Sequence, residues 1–264
     1  METELTPIFE EFASDLDALK KMLPIAEEGD HHPQSAKARI VAGNAATLLL
    51  AALFEEYIRQ MVKGSFREKS RVANGIKDFP QKIAANVWRQ GLEILARVEI
   101  DDVEANIISY QTRLEAIVAF SLKKDITSDV SDVLAHNKNN MRPDKLLELF
   151  KKIGITDILL KSCKDQDLQN FLGSTENVKK VCDSLTAALN DFFQRRNYIA
   201  HAIGLNNSSG PVQLDQDIEL FLTFGRALLR ALEDELKQPP RDKFPGIDQE
   251  VSQLTTPDLR GDTP

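Results

Sequence analysis

The sequence predicts an all-α protein: an antiparallel helical bundle with an inserted segment of short helices. Apolar residues recur every three to four positions along most of the chain, as on one face of a helix. No stretch of useful length alternates apolar and polar residues as a half-buried strand would. With 264 residues, 42% apolar and 28% charged, the chain has ordinary globular proportions, which argues against collagen-like repeats and wholesale disorder.

Taken in order, Thr6-Pro7 forms a cap and a first helical position, and Ile8, Phe12, Leu16, Leu19 and Leu23 share one face until Pro24 is expected to stop the helix. Ser35 caps a long second helix through Leu48, Leu53, Tyr57 and Met61 to Gly64 or beyond. Pro80 opens a third, around Ile83, Val87, Trp88 and Leu95. The acids Asp101-Asp102 suit the head of a fourth, through Ile107, Leu114, Ile117 and Phe120. From Ile126 to Gly173 the periodic segments shorten. His136 to Pro143 reads as a loop, and Asp144 to Lys152 as a short amphipathic helix closed by Gly154. Ser174, with Asn177 three positions on, starts another long helix, and the polar turn from Gly204 to Pro211 leads into a last one from about Asp215 to Lys237. This divides the chain into an acidic helix and loop (1–34), a helical bundle (35–237) and a Pro-containing tail (238–264).

The net charge of -8 is unevenly placed. Residues 1–30 carry nine acids against Lys20 and Lys21, whereas residues 31–100 carry eleven Lys or Arg against six acids. Global acidity therefore does not exclude a local polyanion site. The longest apolar run, Ala45 to Phe54, falls short of the roughly 18 residues of a membrane helix, and no secretory leader is visible, so the expected location is cytoplasmic, with no membrane partner. Cys163 and Cys182 read as reduced thiols. Phosphate-loop, dinucleotide, zinc-protease and serine-elbow motifs are missing from the sequence, and His31-His32 lack a third ligand. No cofactor and no metal are expected.

The segment that breaks the pattern lies near the end of the helix begun at Ser174. At about 100° per residue, Arg196 falls within roughly 40° of Val178, Leu185, Leu189, Phe192 and Ile203, in the middle of the apolar stripe. Arg195 falls about 100° away, on the polar side. A guanidinium keeps its charge, so position 196 must face a carboxylate, a subunit boundary or an opening. Asn197 and His201, four apart, extend a polar arc from it. A structural ion pair across the bundle is the competing explanation; Glu55 and Glu56 on the second helix are its candidate acids, or simply solvated.

The string Phe192-Phe193-Gln194-Arg195-Arg196-Asn197-Tyr198-Ile199-Ala200-His201-Ala202 resembles the signature of the HEPN superfamily of small helical ribonucleases: Arg, a polar residue, a short spacer, then His at the end of a long helix. Leu50 to Arg59 resembles the second-helix pattern of its RiboL-PSP-HEPN branch, and Asn139 to Ile155 that branch's Asn-rich loop and short helix. The resemblance covers residues 35–236 and leaves the acidic helix and the tail unexplained. It implies a metal-independent endoribonuclease that leaves 2′,3′-cyclic phosphate and 5′-hydroxyl ends, of the toxin or antiviral-defence kind. His201 would be general base or acid, Arg196 a two-pronged phosphate ligand, and Asn197 would orient His201 or bond phosphate or ribose. One imidazole does not conveniently serve as base and acid in one step, so the resemblance further implies a homodimer with a composite active site, with a regulatory partner or antitoxin holding it in check. Tyr198, Arg195, Arg142 and Lys138 are secondary RNA-binding candidates, and the run Lys63, Arg67, Lys69, Arg71 either holds phosphate or is a solvated face. The alternative is a non-catalytic helical module binding a partner protein or a nucleotide.

Overall fold

A 40-residue helix organises the molecule. The computed structural model describes residues 3–27, 33–97, 104–137, 140–173, 177–201 and 210–237, which form ten α-helices and, among these residues, no strand. They are α1 (Leu5–Glu27), α2 (Pro33–Val72), α3 (Ile83–Leu95), α4 (Glu104–Leu122), α5 (Ser131–Ala135), α6 (Pro143–Lys152), α7 (Ile158–Ser162), α8 (Gln166–Phe171), α9 (Val178–His201) and α10 (Pro211–Lys237). α2 packs against α1, α5, α6, α9 and α10, while α3 and α4 pair with each other.

The Phe54 ring of α2 marks the centre. It lies 4.4 Å from Phe221 and 6.0 Å from Phe224 of α10, 6.2 Å from Phe193 of α9 and 6.4 Å from Phe12 of α1. One turn on, Tyr57 stacks on Phe12 at 4.2 Å and donates its hydroxyl proton to the Gly225 carbonyl at 2.7 Å. Burial of that phenol raises its pKa well above the usual value.

The acidic helix is therefore no appendage. Leu5, Phe12, Leu16 and Leu19 are buried in the same core as α2 and α10, and α1 runs antiparallel to α10, with Thr6 bonding Glu233 at one end and Lys20 bonding Glu219 at the other. Glu4, just before α1, cross-links the bundle by pairing with Arg67 and Arg71 of α2. The basic run of α2 is thereby occupied internally, since Lys63 also reaches Asp132 at 2.6 Å and Arg67 reaches Asp129 at 3.1 Å. The fourth member, Lys69, has its pKa lowered mainly by burial.

Several boundaries differ from expectation for identifiable reasons. α1 continues through Pro24 to Glu27, so the single amide donor that the proline removes does not end the helix there. α2 passes straight through Gly64, whose missing Cβ admits α1: a Cβ there would meet Leu5 Cδ2 at 2.8 Å and Ile8 Cδ1 at 3.2 Å. The segment after Pro80 enters α3 only at Ile83, behind a short 3-10 turn at Ile76–Asp78. α9 is capped by Asn177, whose Oδ1 accepts from the Lys179 amide at 2.9 Å. α10 begins at Pro211, four residues before the predicted start. Gly154 closes the α6 segment in the left-handed region, φ +80°, as expected. By length and composition Lys37–Val72 could cross a membrane, which the longest-run criterion missed because small residues and scattered charges average out over a window. Leu50, Phe54, Ile58, Met61 and Phe66 of that stretch are buried in the helical core. Ser174, Lys138, the head at Asp101-Asp102, the turn from Gly204 and the tail from 238 lie outside the described residues.

Gly91 of α3 is a second close approach. A Cβ would sit 2.5 Å from Ile117 Cδ1 and 2.8 Å from its Cγ1, on a stiff, fully buried β-branched side chain of α4. Gly91→Ala is expected to destabilise the protein by about 1–3 kcal/mol through overpacking, visible as a lower urea midpoint. An unchanged midpoint would mean that α3 and α4 do not pack this tightly.

Candidate functional site

The buried stripe of α9 comprises Val181, Leu185, Leu189, Phe192 and Phe193, and Arg196 is the next position along it. Arg196 is half-buried, and its Nε is sealed from solvent without a hydrogen-bond partner. Among the described residues Arg196 forms no ion pair; its one hydrogen bond runs from Nη1 to Asn197 Oδ1 at 3.4 Å, a weak contact. Neither Glu55 nor Glu56 neutralises it. Both are engaged by Arg59 one turn along α2, at 3.3 and 3.1 Å, and Glu55 Oε1 is itself buried without a partner. A permanently charged group is thus held at the end of an apolar seam with its charge unmatched.

Arg195 has the opposite fate. Its guanidinium forms a bidentate pair with Asp217 of α10, at 2.9 and 2.8 Å, and bonds Asp191 through Nε at 3.0 Å. Asp217 is almost wholly buried and also accepts from Gln213 at 3.2 Å. These partners hold the guanidinium charged, the hydrogen bonds that Asp217 accepts from it being the largest influence. Arg195 is accordingly a cross-brace between α9 and α10, not a cation held open for phosphate. The two adjacent arginines divide the work, one neutralised by the fold and one left unneutralised.

Asn197 is positioned from outside its own helix. Its Oδ1 accepts from Asn140 Nδ2 at 2.5 Å, which brings the Asn-rich loop between α5 and α6 onto the motif. No hydrogen bond joins Asn197 to His201 among the described residues, so the i,i+4 pair that the spacing allowed is not hydrogen-bonded. His201 ends α9 with its side chain exposed, about 7.5 Å along the helix axis from Arg196. Tyr198 is 59% exposed on the outer side. Arg142 stands at the N-terminal boundary of α6, half-buried, with no side-chain hydrogen bond or ion pair among the described residues. The sequence offers Asn140 as part of an Asn-rich loop that could contact RNA or be only a turn; its role as partner of Asn197 carries no local signal, because the two lie 57 positions apart.

No group of His, Cys, Asp or Glu with metal-binding geometry occurs among the described residues. Cys163 and Cys182 are free; burial, with Cys182 nearby, pushes the Cys163 thiol far up, which makes it a poor nucleophile. A hollow of about 270 Å³ lined by Arg59, Lys63 and Arg113 is nearly charge-balanced, since Glu55, Glu56 and Asp132 pair with the first two. The permanent charge that lacks an acid at the end of α9 is that of Arg196. What it offers chemically is a planar cation for an anion, with the bonded carboxamides of Asn197 and Asn140 next to it and the His201 imidazole at the end of the same helix.

The family model RiboL-PSP-HEPN matches residues 10–238, which takes in most of α1 as well as the bundle. Curated proteins and solved structures yield no match.

Proposed function

The chain belongs to the RiboL-PSP-HEPN family, and from that premise we propose that it is a metal-independent endoribonuclease whose active site is Arg196, Asn197 and His201. One observation carries the proposal: the half-buried guanidinium of Arg196 has no carboxylate partner among the described residues. A charge kept in that position at the expense of stability is matched by an anion, and the anion that a ribonuclease brings is a scissile phosphate.

In the proposed reaction a base removes the 2′-hydroxyl proton, O2′ attacks phosphorus, and the bond from phosphorus to O5′ breaks as an acid protonates O5′. Arg196 holds two phosphate oxygens and neutralises the charge that grows on the phosphorane. His201 transfers a proton, and Asn197, held by Asn140, bonds phosphate or ribose. Base and acid are the two His201 side chains of a homodimer. In support, α2 leaves a stripe of small and apolar side chains exposed at Val41, Ala45, Leu49 and Ala52, just N-terminal to Phe54, whose ring meets α9. Such a stripe is the surface a second copy would cover. A role as a toxin or in antiviral defence, restrained by a regulatory partner, fits this chemistry.

The test is cleavage of a single-stranded oligoribonucleotide in EDTA by purified protein. The expected fragments carry 2′,3′-cyclic phosphate and 5′-hydroxyl ends, and His201→Ala slows their formation about 10²–10⁴-fold. Equal rates for His201→Ala and wild type would overturn the assignment and leave a non-catalytic helical module. A light-scattering mass of one chain at micromolar concentration would remove the shared site.

A further inference from the structure

A groove that the catalytic reading does not use lies between α3 and α6, with a volume of about 760 Å³. Four cations line it: Lys82 and Arg89 on one side, Lys151 and Lys152 on the other. Its two acids are already engaged from outside, Glu93 by Arg97 and Glu148 by Lys145, each at 2.8 Å. None of the four lining cations is in an ion pair among the described residues. Burial lowers the pKa of Lys152, and repulsion from Lys145 and Arg89 adds to this against the opposing pull of Glu148.

We infer that this groove is a track for the phosphate backbone of single-stranded RNA flanking the cleavage site, joined to the Arg196 motif through the loop between α5 and α6. The junction is visible in the hydrogen bonds. Gln90, which lines the groove, donates to the His136 carbonyl at 3.2 Å. Four residues along the same loop, Asn140 bonds Asn197. An acidic protein partner fits less well, because none of the exposed large apolar side chains lines the groove and a protein interface needs such anchors. Carboxamides at Gln81, Asn86 and Gln90 stand among the cations instead, as donors and acceptors for ribose. The inference rests on the ribonuclease reading only for the identity of the polyanion.

The experiment measures binding, not cleavage. Full-length His201→Ala protein is titrated against a fluorescent 12-nucleotide RNA by anisotropy from 50 to 200 mM salt, with and without Arg89→Gln and Lys151→Gln. Both positions are exposed, so the thermal midpoint should not move. The groove substitutions are expected to weaken binding about tenfold and to lower the slope of log affinity against log salt by about 1.4, roughly 0.7 per lost phosphate contact. Lys179→Gln with Lys180→Gln, an equal charge change at the far end of α9, should leave affinity within about twofold. Equal losses from the two pairs, or no loss from the groove pair, would overturn the track, as would binding of polyglutamate in preference to RNA. Groove-dependent binding by a wild-type protein that cuts nothing would uphold the track and sink the ribonuclease reading alone.

Discussion

Arg196→Met is expected to lower RNA cleavage about 10²–10³-fold while leaving the thermal midpoint at or above that of wild type. The two effects have one cause. The guanidinium is half-buried with its Nε sealed and no ion pair among the described residues, so in the free protein it costs desolvation that its weak contact with Asn197 does not repay. A methionine of similar length would continue the stripe of Leu189, Phe192 and Phe193 without that cost. Its value would appear only when a phosphate arrives, and more so as charge accumulates on the phosphorane. Cleavage rates and a melting curve of the same preparation check both halves. A variant that loses stability by several kcal/mol would show that Arg196 is a structural brace, and the catalytic assignment would go with it.

Arg195→Met, one residue away, is expected to do the reverse: destabilise the protein by about 3–5 kcal/mol, the usual penalty for stranding one partner of a buried pair. Asp217 would be left almost fully buried with only the Gln213 carboxamide, and the α9–α10 cross-brace would be gone. Denaturant titration should show a large drop in midpoint. Any loss of cleavage should be recovered at low temperature, where the folded fraction is restored. Asp217→Asn, which keeps the shape and removes the charge, should fall between this variant and wild type. A midpoint for Arg195→Met within about 0.5 kcal/mol of wild type would mean that the bidentate pair contributes nothing, as is common for exposed ion pairs.

Much of this molecule was legible from the chain alone, for a reason specific to helices. The spacing of Leu185, Leu189, Phe192 and Arg196 is a property of one helix, and the angle between two positions follows from their separation whatever packs against them. The same locality made Gly154 readable as a stop and exposed the anomaly of a cation inside an apolar stripe. It misplaced elements where a distant partner intervened. Gly64, where the expected helix was left open to end or continue, is the point where α1 presses on α2, and the acidic helix looked separable because its partners Arg67, Arg71 and Glu233 lie far along the chain.

Helical periodicity alone, read residue by residue, was enough to mark position 196 as the anomaly of α9 and to set the polar arc beside it. Which of the two neighbouring arginines would be neutralised was not in that pattern. The choice was made by Asp217, 22 positions away on another helix, and the setting of Asn197 by Asn140 in a loop 57 positions before it. Charge pairing depends on which groups come within a few ångströms, and in a bundle that distance is set by how helices far apart in the chain pack together.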